Sequence, residues 1–218
     1  MNIDQLISPI PTLSPDDTGD KAMDVMAENN LTELPIVDQD NYIALIHESD
    51  LLNWNNTSDK LGSSDSLTYK PAVLGSGHPF EAMRLMNQMN LSVLPVVDSD
   101  HKYLGAVTKD SMLKYITDHS GIDTPGGIIV LEIAPRNYTL PEIARICENE
   151  DVMIMNMQAS VNERGMLEVT LKLNRSVLDA VVSSFERYKY HVKEVFGEHN
   201  NGEDITGKYN LLMNYLNM

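Results

Sequence analysis

The sequence predicts a mixed α/β chain, α+β toward its C-terminal end: one β-α-β-β-α unit written twice, then a β-α-β-β-α-β domain on an antiparallel sheet. Three observations carry this. The residues LTELPIVDQD at 31–40 return as LSVLPVVDSD at 91–100, a fixed-offset echo that marks a duplicated folding unit. The segment HSGIDTPGG at 119–127 concentrates Gly, Pro and small polar residues, as a domain boundary does. Beyond it, 166–173 alternates strictly: Leu167, Val169, Leu171 and Leu173 stand against Glu168, Thr170 and Lys172, the pattern of a strand covered on one face.

The echo runs past ten residues, because 22–38 and 82–98 are identical at nine of 17 positions. In each copy an extended lead-in, IPTLSP or KPAVLGSG, precedes a helix. In the first copy Thr18 is the expected N-cap, Ala22, Val25, Met26 and Asn29 share one face, and the helix stops near 29–30. In the second, Pro79 suits the first turn, Ala82, Leu85, Met86 and Met89 repeat the stripe, and Asn90 repeats the stop. Methionines at this spacing are flexible core filler.

LPIV and LPVV read as buried strands. Pro35 and Pro95 lack a ladder donor, which places them at a strand start or where pairing is interrupted. VDQDNYIALI and VDSDHKYLGAV read as hairpins turned by Asp and Asn, each followed by a further helix. A calcium loop fails here, since Ile43 and Tyr103 occupy the sixth position and Ser49 and Lys109 the twelfth. The GSG at 75–77 is no dinucleotide fingerprint, because Phe80 stands where the third Gly is needed.

After the boundary, 127–133 reads as an apolar strand, 140–150 as a short helix, and 152–161 and 166–173 as strands around an NERG turn. Residues 175–188 then read as a helix with Leu178, Val181, Val182 and Phe185 on one side, and KYHVKEVF as the closing strand. This order is the ferredoxin-like plan. Met153, Met155 and Met157 are expected on one strand face, packed or subunit-facing in preference to copper-binding. Cys147 follows Ile143 by four on the helix's inner stripe and is expected to act as a small buried hydrophobe. The tail ITGKYNLLMNYLNM has helical punctuation, with Tyr209, Leu212, Met213 and Leu216 on a stripe that needs cover.

Composition removes several classes of function. At 218 residues and 42% hydrophobic the chain has enough apolar mass for two or three small cores, and disorder is excluded as the whole answer. A single cysteine rules out an intrachain disulfide and a Cys-based zinc cage, and fits a reducing compartment. The net charge is −16, with seven Lys/Arg against 19 Asp/Glu in residues 1–123, so nucleic acid and anionic lipid are not expected partners. No apolar run is long enough to cross a bilayer, and a cytoplasmic location without membrane contact is expected. There is no nucleophile–base pair, metal constellation or complete phosphate loop, so the chain reads as non-catalytic and needing no cofactor.

The duplicated helix, the L-P-[IV]-V-D strand, the hairpin and the G-A-V-T segment at 105–108 together resemble a tandem pair of CBS domains, a Bateman module, over roughly residues 1–120. The resemblance implies two units packed through their sheets. It also implies two symmetry-related clefts that hold adenosine ligands such as AMP, ATP or S-adenosylmethionine. The family's ligand segment is Gly-h-h-Thr-x-x-Asp: the Thr hydroxyl and helix N-terminal N–H groups receive a phosphate, and the Asp accepts from ribose hydroxyls. Copy one reads Ala44, Leu45, Ile46, His47, Glu48, Ser49, Asp50, which keeps the ribose acid and lacks the threonine. Copy two reads Gly105, Ala106, Val107, Thr108, Lys109, Asp110, Ser111, which keeps the threonine and puts serine at the acid position.

The resemblance thus makes Thr108, Lys109, Asp110, Ser111 and Pro95 candidate ligand-binding residues in copy two, and His47, Asp50 and Pro35 in copy one. Thr108 and Lys109 make copy two the better place for a phosphate. Glu48 and Asp50 suit copy one to a neutral adenosine or a sulfonium-bearing ligand. Asp50 and Thr108 are also good helix caps irrespective of any ligand, which leaves a structural or interaction module with degenerate clefts as the alternative.

Residues 126–197 resemble an ACT domain through their element order. That resemblance implies side-by-side association and amino-acid binding near a Gly between the first strand and helix. Here the loop is APRNYTLP, which has no Gly; Asn137 tolerates a left-handed turn, and Arg136 is either a carboxylate partner or a solvated charge. The order CBS–CBS–ACT resembles the acetoin-utilisation class of CBS proteins. It implies a homodimeric regulator that senses an adenosine-type small molecule and signals to an unidentified partner protein. The expected boundaries are 1–60, 61–120 and 126–197, with a partly helical tail at 198–218.

Overall fold

The structure is a computed structural model in which residues 1–63 and 67–197 are described. The helix expected in the tail lies outside the described residues. The chain divides into two compact units, Met1–Ile116 and Thr117–Met218.

In the first unit, α1 (Gly19–Asn29) starts where Thr18 Oγ1 accepts the Lys21 amide at 3.3 Å and ends where Asn30 turns left-handed at φ 53°. Helix α3 (Pro79–Met89) follows the same plan, with Pro79 in its first turn and Asn90 at φ 52°. Asparagine suits both ends because its short polar side chain tolerates the left-handed cap better than most residues do. Each helix buries its Ala and second Met, Ala22 with Met26 and Ala82 with Met86. The hairpins are β1 (Glu33–Asp38) with β2 (Asn41–His47), and β4 (Val93–Val97) with β5 (Tyr103–Thr108). Helices α2 (Glu48–Leu52) and α4 (Lys109–His119) follow them.

The second lead-in forms β3 (Val73–Leu74), parallel to β4. The first touches β1 as a single bridge, Leu13 to Ile36. Pro35 sits inside β1, where its carbonyl accepts the Leu13 amide at 2.9 Å. Its missing donor therefore falls on the side where pairing is reduced to that bridge, which is why the strand tolerates it.

Equivalent residues of the two copies meet one another. Thr32 Oγ1 lies 3.2 Å from Ser92 Oγ, Asn41 bridges to Lys102, and the Tyr42 and Tyr103 rings stack with centroids 6.4 Å apart. Self-contact of equivalent positions places a local two-fold axis between the copies. The chain also crosses over: the 3-10 turn Ile3–Leu6 packs on the second copy, where Ile3 N donates to Gly77 O at 3.1 Å and Ser8 N to Ala106 O at 2.8 Å. Ile3 is fully buried with Val73, Met86, Leu94 and Val107. The linker between the copies does the same on the other side, since Leu45 N donates to Tyr69 O at 2.9 Å.

The second unit runs β6 (Ile128–Ile133), α5 (Leu140–Asn149), β7 (Ile154–Val161), β8 (Leu167–Leu173), α6 (Asp179–Arg187) and β9 (His191–Phe196). Its sheet order is β7-β8-β6-β9 with every pair antiparallel, the ferredoxin-like arrangement. Ile129, Leu131 and Ile133 of β6 and Val169, Leu171 and Leu173 of β8 face α5 and α6 in one core around Phe185. Helix α6 starts four residues later than the sequence suggests, because Arg175 O is taken by Gly127 N at 2.7 Å and Leu178 becomes the N-cap.

The methionine trio does not share a face. A register shift between Ile154 and Asn156 breaks the alternation. Met157 joins Ile154 against the core, while Met153 and Met155 stay exposed. Cys147 is buried in that core, and burial, followed by the Glu148 charge, pushes its thiol up to about 11. The folded state thus holds the proton more tightly than the unfolded one, and this contribution to stability fades as pH rises through that value. Alkylation of Cys147 by iodoacetamide at pH ~8 is expected to be about a hundredfold slower in the folded protein than in denaturant. A comparable rate in both states, read by mass spectrometry, would contradict the burial.

Candidate functional site

The end of β2 and the start of α2 place His47 and Asp50 together on the wall of a cleft of about 500 Å³. The end of α3 and the turn leading to β4, at Met89, Asn90 and Leu91, also line it. Thr68 and Tyr69 of the linker close one side, held there by the bond from Leu45 N to Tyr69 O.

His47 caps α2. Its Nδ1 accepts the Ser49 amide at 3.0 Å and lies 2.8 Å from Ser49 Oγ, while its own amide donates to Asp50 Oδ2 at 3.3 Å. With Nδ1 accepting from an amide, the neutral ring carries its proton on Nε2. That nitrogen is 3.5 Å from Glu33 Oε1.

Glu33 is the feature that sequence reasoning missed. It is 1% exposed, at the first position of β1, and is one of two buried polar or charged side chains among the described residues. Its carboxylate accepts from Thr32 Oγ1 at 3.0 Å, from Ser92 N at 3.4 Å and from Ser92 Oγ. A buried carboxylate needs such partners, and here they come from both copies. The available signal was the mismatch of Glu33 with Val93 at the same place in the echo. Burial first, then the charges of Glu33 and Asp50, raises the Tyr69 hydroxyl above its ordinary value, so it enters the cleft as a neutral group.

The copy-two residues are arranged differently. Thr108 and Ser111 cap each other: Ser111 N donates to Thr108 Oγ1 at 3.1 Å and Thr108 N to Ser111 Oγ at 3.0 Å. Lys109 and Asp110 are exposed in the first turn of α4. Pro35 and Pro95 are buried within their strands, paired with Leu45 and Ala106.

In the second unit Arg136 and Asn137 line a hollow of about 530 Å³ between the β6–α5 loop and the turn before β9. Glu142, also on its wall, accepts from the Tyr190 hydroxyl at 2.8 Å. Burial, with that hydrogen bond second, pushes the Tyr190 hydroxyl up to about 12. Among the described residues no group of three or more His, Cys, Asp or Glu can hold a metal ion, and no helix is long and apolar enough to cross a membrane.

Among curated proteins, the chain is 30% identical over 112 residues to inosine-5′-monophosphate dehydrogenase of Methanocaldococcus jannaschii, covering 50% of this chain and 22% of that one. It is 28% identical over 120 residues to homoserine O-acetyltransferase of Methanohalobium evestigatum, covering 53% and 24%. The chain thus spans less than a quarter of the length of either enzyme. Among solved structures, a CBS domain pair/ACT domain protein from Thermotoga maritima shares 18% identity at a TM-score of 0.49, over 54% of this chain and 98% of that one. CBSX2 in complex with AMP shares 22% at 0.47, over 54% and 96%. The family model for the CBS domain matches residues 3–56 and again 72–118, the same two stretches that carry the repeated helices and hairpins, so the chain carries a pair of CBS domains.

Proposed function

We propose that the protein is a non-catalytic regulatory sensor that holds an adenosine-containing ligand in the cleft at His47 and Asp50. Occupancy is passed on through rearrangement of its units, or of two subunits, to a partner protein. The observation that carries this reading is the placement of Asp50, the acid at the family's ribose position, on the wall of a cleft within the usual ligand size range. Tyr69 and Asn90 add a ring and an amide for a base or sugar. A ligand with about a tenfold preference for one arrangement shifts a balanced equilibrium by ~1.4 kcal/mol, enough for a switch. The ferredoxin-like unit, with Arg136 in its loop hollow, is read as an ACT-like regulatory module.

One observation favours a second reading, an interaction module with non-binding clefts: Thr108 and Ser111 already satisfy each other. Thermal-shift titration with adenosine compounds separates the two. The sensor reading expects a rise in Tm with ligand concentration, and expects Asp50→Ala to weaken binding by about tenfold or more through the lost charged acceptor. A flat Tm with every compound supports the interaction module instead.

A further inference from the structure

We infer that the cleft at His47 selects among adenosine compounds by charge, admitting a neutral or cationic 5′ substituent and rejecting a 5′ phosphate, and that Glu33 sets this preference. The inference rests on the reading of the cleft as an adenosine site. The Glu33 carboxylate is buried and held by Thr32 and Ser92, and it stands 3.5 Å behind His47 Nε2. His47 occupies the position where the family motif carries its threonine, so the Glu33 carboxylate lies within 3.5 Å of the side chain that stands at the motif's phosphate position. Screening is weak at a buried site, and the field reaches into the cleft. Tyr69 also lines the cleft, and after burial the charges of Glu33 and Asp50 raise its hydroxyl above the ordinary value.

The backbone amides nearest His47 are already in use. The Ser49 amide goes to His47 Nδ1, the His47 amide to Asp50, and the Ser92 amide to Glu33. Helix α2 has only five residues, too short for a useful N-terminal dipole, and among the described residues the cleft lining contains no Lys or Arg. A sulfonium or an uncharged thioether meets no such opposition.

Calorimetric titration of the full chain with adenosine, 5′-methylthioadenosine, S-adenosylmethionine and AMP tests this. The first three are expected to bind, with AMP weaker than adenosine by about tenfold or more. Glu33→Gln keeps an acceptor in place and removes the charge. It should narrow the gap by about fivefold or more by strengthening AMP, with adenosine nearly unchanged. Glu33→Val, the residue the second copy carries there, supplies the same readout if the Gln variant does not fold. AMP binding as tightly as adenosine, or a folded variant with an unchanged gap, overturns the charge filter while leaving the adenosine site standing. Failure of all four compounds to bind removes the site itself.

Discussion

Gly126→Ala is expected to destabilise the C-terminal unit by roughly 3 kcal/mol or more. Gly126 has φ +149°, and a Cβ built there lies 1.9 Å from the Leu173 carbonyl oxygen. The obstacle is main chain of β8, which cannot swing aside as a side-chain tip would. Relief requires pulling β6 from β8 at the bond from Leu173 N to Gly127 O, at the start of the ladder that forms the centre of the sheet. Urea denaturation followed by circular dichroism reads the loss, and a change under about 1 kcal/mol would show that the strand ends can separate without harm.

Ile3→Ala is expected to cost the N-terminal unit about 3 kcal/mol, the usual loss for emptying a closed core site. Position 3 belongs to the first copy by sequence, yet its side chain fills the core of the second. Hydrogen exchange should therefore accelerate in β4 and β5 before β1. Equal acceleration in both hairpins, or none, would contradict the crossover.

Most of the first unit was legible because its signals are local. Thr18, Pro79, Asn30 and Asn90 act within one turn of where they stand, and the hairpin turns depend on residues next to one another. The same locality brought His47 and Asp50 together, since three residues apart they share the first turn of one helix. What sequence could not display were effects between distant segments. The burial of Glu33 depends on Ser92, 59 residues away. The crossover of Ile3 depends on Gly77. The bulge that splits the Met153, Met155 and Met157 series arises from the pairing of β7 with β8, and no residue in the strand announces it.

The axis between the copies has a chemical corollary. In a symmetric pair of separate half-length chains, whatever stands beside the axis stands there twice, so a glutamate at this place would face its own twin and the two like charges would repel. Tethering both halves in one polypeptide lifts that restriction and lets Glu33 sit opposite Val93, with Ser92 free to serve the single acid. Covalent linkage here does more than raise local concentration: it frees the two copies to differ where they meet, so that an acid on one side is answered by an apolar residue on the other.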